Sequence, residues 1–167
     1  MLADCLPGST DVFILPEMFT TGFSMASSVL AEDMDGPSIN WLQQLSEKHQ
    51  AALCGSLIIR DMGQYYNRLV WVEPGFVSPK FYDKKHLFSI AGEHKHYSAG
   101  REHLTLEYKG WKISFYICYD LRCPVWSRNT QGTDLMIYVA NFPTKRAGAW
   151  NQLLPARAIE NQCFVAG

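Results

Sequence analysis

Four stretches of this 167-residue chain are apolar almost without interruption, and each stops at a turn residue or a polar group. DVFIL at 11–15 ends at Pro16, AALCGSLII covers 51–59, ISFYI leads into Cys118, and DLMIYVA covers 134–140. Runs this short and continuous, with β-branched and aromatic side chains, suit strands buried on both faces. Such strands need covering layers, so the chain must place helices or a second sheet against them.

The segments between these runs supply both. Ser38 is a plausible N-cap for a helix over about 39–50, with Trp41, Leu42 and Leu45 on one face. WNQLLPARAIENQ, about 150–162, alternates at helical spacing, with Pro155 expected to kink it or mark a helix start. YYNRLVWV and FVSPKFY flank Glu73-Pro74-Gly75, and Pro then Gly at the centre suits a type II turn between paired strands. LTLEYKGWKISFYIC reads as a hairpin around Lys109-Gly110. Residues 16–36 and 84–102 read as loops, and CFV begins a last strand. The expected class is α/β, with a mixed sheet and helices packed against it.

With 47% hydrophobic and 19% charged residues, residues 1–167 read as a single domain with one sizeable core. The chain opens almost directly into DVFILPE and stops at CFVAG, so it is expected to be a fragment of a longer domain. A net charge of −1 gives no broad reason to expect nucleic acid or an anionic membrane as partner. No run is long enough to span a bilayer, and MLADCLPGST lacks the pattern of a signal peptide. Five cysteines scattered at 5, 54, 118, 123 and 163 are read as reduced, in a cytoplasmic protein.

Three reactive side chains stand where a strand gives way to a loop: Glu17 after DVFILP, Lys84 after KFYD, and Cys118 after ISFYI. Taken singly, each has a bland reading, as a solvated carboxylate, a surface lysine or a core cysteine. Together they suffice for amide hydrolysis without a metal or organic cofactor. A lysine cation favours a thiolate, a carboxylate accepts its proton, and the same lysine stabilises a tetrahedral oxyanion. His86, His94, His96 and His103 crowd one region near Glu93, but the segment looks like loop and its lysines oppose a metal. The aromatic and basic stretch WSRN, Trp126 to Asn129, is read as a pocket rim or packed helix rather than a nucleic-acid surface.

DVFILPEMFTTGF, YDKKHLF and ICYDLR, in that order, resemble the three signature segments of the nitrilase superfamily, the carbon–nitrogen hydrolases. The resemblance covers nearly the whole chain and implies a four-layer α-β-β-α sandwich, incomplete here. It implies Glu17 as general base, Lys84 (not Lys85) as catalytic lysine, Cys118 as nucleophile and Glu93 as a second glutamate. The backbone N–H of Tyr119 is the implied oxyanion donor. FYDKKHLF, GEHKHYSAG, CPVWSRN, YVANFP and RAIENQ are similar to the bacterial omega-amidase branch, which acts on 2-oxoglutaramate and related omega-amides. That implies a small-molecule amide as partner and a homodimer built through the outer helices. Where the family often has Arg-Phe-Pro, this chain has Arg122-Cys123-Pro124, which trades a ring for a thiol beside the nucleophile. Another amidase or nitrilase of the superfamily, or an inert binding module, are the alternatives.

Phe23, Trp126, Asn141 and Phe142 are candidate substrate contacts by proximity to these motifs. Arg128, Lys145 and Arg146 are candidate partners for a substrate carboxylate, while Arg122 and Arg157 are read as structural ion-pair members.

Overall fold

A computed structural model of the chain describes residues 5–75 and 78–167. The first two residues of the expected FVSPKFY strand, and the first four of the segment read as lacking a signal peptide, lie outside the described residues.

Strand β1 (Val12–Ile14) is followed by α1 (Ser27–Leu30) and α2 (Pro37–His49). Strands β2 (Ala52–Asp61) and β3 (Gln64–Val72) form a long hairpin, and β4 (Lys80–Asp83) returns beside β3. The loop after β4 contains two 3-10 turns, Ser89–Ala91 and Glu93–Lys95. Then come β5 (Thr105–Tyr108), β6 (Trp111–Ile117), a 3-10 turn over Cys118–Arg122, β7 (Leu135–Val139), α3 (Ala147–Asn161) and β8 (Phe164–Ala166).

The strands form two four-stranded sheets, ordered β1-β2-β3-β4 and β5-β6-β7-β8. Both are mixed: β1 is parallel to β2, and β6, β7 and β8 are parallel, while the remaining pairs are antiparallel. Alternation along each strand gives the layers. Ala52, Cys54, Leu69, Trp71 and Tyr82 of the first sheet meet Ile113, Phe115, Ile117, Ile137 and Val139 of the second. On the outer face of the first sheet, Leu53, Leu57, Ile59, Val70 and Val72 pack on Ile39 and Leu42 of α2. On the outer face of the second, Tyr116, Met136 and Tyr138 pack towards Trp150, Leu153 and Leu154 of α3. The order α2, sheet, sheet, α3 is the α-β-β-α sandwich that the motifs implied. Both faces of each sheet are covered, which is why the strands read as unbroken apolar runs. Each fully buried aliphatic or Phe side chain here contributes roughly 1.5–3 kcal/mol.

The Lys109-Gly110 hairpin forms as expected, with Tyr108 opposite Trp111 and positive φ at both turn residues (49° and 81°), a type I′ turn. The β2–β3 hairpin turns the same way at Met62-Gly63 (46° and 76°). Two helix expectations change. α2 starts at Pro37, so Ser38 lies inside it rather than capping it. Proline suits a first helical position because it has no N–H to leave unpaired, and the Glu32 carboxylate accepts the Ser38 N–H from outside (2.8 Å). The buried stripe of α2 is Ser38, Ile39, Leu42, Ser46 and His49, leaving Trp41 exposed. α3 begins eight residues ahead of Pro155 and runs through it, so the proline neither starts nor ends the helix.

Candidate active site

Each of the three reactive residues is fixed by the strand it follows. Beyond β1 the chain stays beside β2: the Leu15 N–H donates to the Cys54 carbonyl (2.7 Å), and the Ser56 N–H to the Pro16 carbonyl (3.3 Å). The Met18 N–H then donates to Ser56 Oγ (2.9 Å), which leaves Glu17 fully buried and facing the interior network. Lys84 extends the β3–β4 pairing, its N–H donating to the Asn67 carbonyl (3.0 Å) and its carbonyl accepting from the Gly100 N–H (2.9 Å). Gly100 must be glycine, since a Cβ there would sit 2.1 Å from the Asp83 carbonyl oxygen. Cys118 lies at the end of β6 with φ +47°, a left-handed conformation that costs a non-glycine residue roughly 1–3 kcal/mol. Strain of that kind turns the chain sharply at the strand end, as nucleophile elbows do.

The side chains converge. Lys84 Nζ donates to Glu17 Oε1 (2.8 Å) and to both oxygens of Glu93 (3.1 and 3.0 Å). All three side chains are fully buried. Asn67 Nδ2 bridges the same carboxylates, donating to Glu17 Oε1 (2.8 Å) and Glu93 Oε1 (3.1 Å). Its own Oδ1 accepts from Ser56 Oγ (2.7 Å). The Asn141 N–H donates to Glu17 Oε2 (3.0 Å), and the Phe88 N–H to Glu93 Oε2. Every oxygen of the two carboxylates is therefore engaged, as burial of charge requires.

Two carboxylates and one ammonium leave the cluster at −1 when all are ionised, and this sets the resting state of the thiol. Burial pushes the Cys118 thiol up first, and the Glu17 charge adds to it; Lys84 pulls the other way, but hydrogen bonding to Glu17 and the Glu93 charge add further to the rise. The net shift is strongly upward. Lys84 does favour the thiolate, as expected, but burial and the two carboxylates outweigh it, so in the free site the proton stays on sulfur, beside the Glu17 carboxylate able to take it. Burial also works against the Lys84 charge, but Glu17, Glu93, Cys118 and the hydrogen bond to Glu17 outweigh it and hold the ammonium well above the ordinary lysine range.

A third buried carboxylate, Asp120, ties the segments together. Asp120 Oδ2 accepts from Tyr82 Oη (2.7 Å) and the Ile117 N–H (3.1 Å). Asp120 Oδ1 accepts from the His86 N–H and lies 2.9 Å from His86 Nδ1. It thereby joins β4, the loop after Lys84 and the turn carrying Cys118. On the far side of that turn, Arg157 donates twice to the Leu121 carbonyl (3.1 and 2.7 Å) and pairs with Glu160, a structural role as expected.

Glu17, Cys118, Phe23, Tyr119, Asn141 and Phe142 share one small pocket. Phe88, Arg122 and Arg146 also line it. Two candidate contacts are placed elsewhere. Trp126 is half-buried, donates to Tyr82 Oη (2.9 Å) and stacks on His103 at 3.7 Å. Arg128 lines a separate depression with His103, Thr105 and Tyr116. Both were placed by closeness in sequence to Cys118, but the chain leads away after the 3-10 turn. Arg122 is also corrected: it makes no ion pair among the described residues and stands at the pocket instead. Lys85 points its ammonium over the Trp126 ring (5.1 Å), away from the carboxylates.

Asn67, Ser56 and Asp120 were not singled out from sequence. Asn67 and Ser56 had a usable signal, since each is a polar residue on the inward-facing register of an otherwise apolar strand. A larger open groove of about 350 Å³, lined by Ile14, Leu15, Val139 and Trp150, carries no carboxylate, thiol or amine. Among the described residues no group of three or more His, Cys, Asp or Glu side chains is placed to hold a metal. Cys54, Cys118, Cys123 and Cys163 form no disulfide, and no described helix is long and apolar enough to cross a membrane.

Two facing mixed sheets, helices outside, and a thiol and a carboxylate–ammonium–carboxylate row at the strand ends define a nitrilase-type fold and site. The chain belongs to the carbon–nitrogen hydrolase family, whose sequence model matches residues 3–167. It is 48% identical over 159 residues to the omega-amidase YafV of Escherichia coli strain K12, covering 94% of this chain and 60% of that protein. It is 41% identical over 160 residues to a 2-oxoglutaramate amidase of Bacillus subtilis strain 168, covering 93% and 62%. A CN-hydrolase superfamily protein from Xanthomonas campestris, solved with an arsenic adduct in its active site, superposes with a TM-score of 0.92 at 48% identity, covering 96% of this chain and 63% of that one. The chain thus spans about 60% of the length of the YafV relative.

Proposed function

We propose that the protein to which these residues belong, read as one domain, is an amidase. It hydrolyses a small omega-amide of the 2-oxoglutaramate kind and releases ammonia through a thioester on Cys118. The observation that carries this is the buried row Glu17–Lys84–Glu93 beside the Cys118 thiol, which shares one pocket with Glu17. As Cys118 Sγ attacks the amide carbon, its proton passes to Glu17. Lys84 and the Tyr119 N–H stabilise the oxyanion, and Glu93 holds Lys84 in place. Glu17 returns the proton to the departing nitrogen, the C–N bond breaks and ammonia leaves. Glu17 then takes a proton from water as the oxygen attacks the thioester, and gives it back to sulfur when the carboxylic acid departs. Phe23, Asn141 and Phe142 line the path of the acyl chain.

Similarity to relatives named omega-amidase and 2-oxoglutaramate amidase supports the substrate class. Free thiols at Cys54, Cys118, Cys123 and Cys163 support a reducing, cytoplasmic setting. Assembly as a homodimer through the outer helices is the matching proposal, supported by the exposed Ile159 of α3 and checked by light scattering. An ammonia-release screen comparing 2-oxo omega-amides, simple amides and nitriles tests the function. Turnover of omega-amides is expected, and preference for a nitrile over every amide would move the protein to another branch.

A further inference from the structure

The pocket has an uneven charge distribution. At its base stand Cys118 and Glu17, the latter part of a cluster carrying −1 when ionised. Its walls are aromatic, with Phe23, Phe88 and Phe142. Two guanidinium groups, Arg122 and Arg146, line it, and neither makes an ion pair among the described residues. Both are held in register with the chemistry. Arg122 closes the same 3-10 turn that Cys118 opens. Arg146 ends the Thr144–Arg146 turn and lies over the Phe88 ring at 4.7 Å. Phe88 in turn packs on Tyr119 (5.2 Å) and donates its N–H to Glu93. A guanidinium stacked on an aromatic face keeps its edge free for a planar anion.

We propose that Arg122 and Arg146 bind a carboxylate at the end of the substrate remote from the scissile amide, and that the pair selects carboxylate-bearing amides over neutral ones. This rests on the amidase reading for its consequence, although the binding does not depend on turnover. The orientation follows from charge. A carboxylate entering first would meet Glu17, whereas a neutral amide meets no such repulsion. The acid end therefore faces the arginines, and the amide reaches Cys118. Arg128 and Lys145 do not line the pocket and take no part.

The test uses the intact chain and a pair of thiol reagents that share one chloroketone chain, chlorolevulinate and its neutral methyl ester. Cys118 sulfur displaces chloride from either, and mass spectrometry follows the adduct. The acid-to-ester rate ratio at Cys118 should fall roughly tenfold in Arg146→Met and in Arg122→Met, the loss expected for one charge-assisted pair. Lys145→Met should leave the ratio unchanged. Both arginines are exposed, so the variants should fold, and a thermal melt of each checks this. An equal ratio in wild type and both variants overturns the proposal. In parallel, KM for succinamate should rise in the variants while KM for butyramide stays put. If wild type hydrolyses neither amide, the amidase reading fails, and the alkylation ratio still decides the carboxylate site. If it hydrolyses both with equal KM and the variants change nothing, the amidase reading stands and the carboxylate site does not exist.

Discussion

Removing the proposed base, Glu17, should make the Cys118 thiol more acidic. Glu17 raises the Cys118 thiol pKa by its charge and by its hydrogen bond, and only Lys84 opposes it. With Glu17→Gln, Glu93 and Lys84 remain as a neutral pair (3.0 Å), and the site goes from −1 to zero. One charge at about 4 Å with an effective dielectric of about 20 contributes roughly 4 kcal/mol. At about 1.4 kcal/mol per pH unit, that bounds the fall at about three units, and a fall of about two is a sound expectation. Two units raise the thiolate fraction about a hundredfold, and the weaker nucleophilicity of a more acidic thiolate takes back about eightfold. Iodoacetamide should therefore alkylate Cys118 roughly tenfold faster at pH 8 in the variant, with the pH midpoint moved down, while amide turnover is lost. Peptide mass spectrometry reads Cys118 against buried Cys54 as an inert reference. A midpoint that stays where it was, or rises, would refute the electrostatic account of the thiol.

Asn67→Leu removes two donors from buried carboxylates and should lower stability by about 3 kcal/mol, read as a shift in urea midpoint. His49 is 2% exposed, and neither ring nitrogen has a partner among the described residues, so His49→Leu should raise stability by about 1 kcal/mol in a thermal melt. Burial pushes the Cys54 thiol from 9.0 to about 12, so the unfolded chain releases this proton first and stability falls as pH rises from 9 towards 12. Cys54→Ala should therefore be less stable at neutral pH but remove about 1.4 kcal/mol per pH unit from that alkaline slope, measured by denaturation at pH 8 to 11.

The reactive residues were legible because each follows an apolar run that stops abruptly, and rigid strand ends are where a sheet can gather side chains. Glu93 came only with the family resemblance, since a glutamate in a loop of histidines and lysines looks solvated. The polar scaffold was harder to see. Ser56 and Asn67 sit inside runs that read as continuous strands, and what they bond to depends on the β2–β3 register. Ser38 looked like a cap because serine usually is one, but Pro37 begins the helix and Glu32 does the capping from another segment. Trp126 and Arg128 were placed by sequence distance, and Arg122 was set aside as structural. The geometry reverses that choice, because the 3-10 turn after Cys118 keeps Arg122 at the pocket and carries the next residues away.

The central claim is that Cys118 carries the acyl group. Rapid quench in acid during turnover of 2-oxoglutaramate, followed by peptide mass spectrometry, tests it most directly. The account predicts an acyl adduct on the Cys118 peptide that forms before steady state, is absent in Cys118→Ala and is unaffected by Cys123→Ala. Ammonia release at the wild-type rate from Cys118→Ala, or an adduct on any other cysteine, would contradict it.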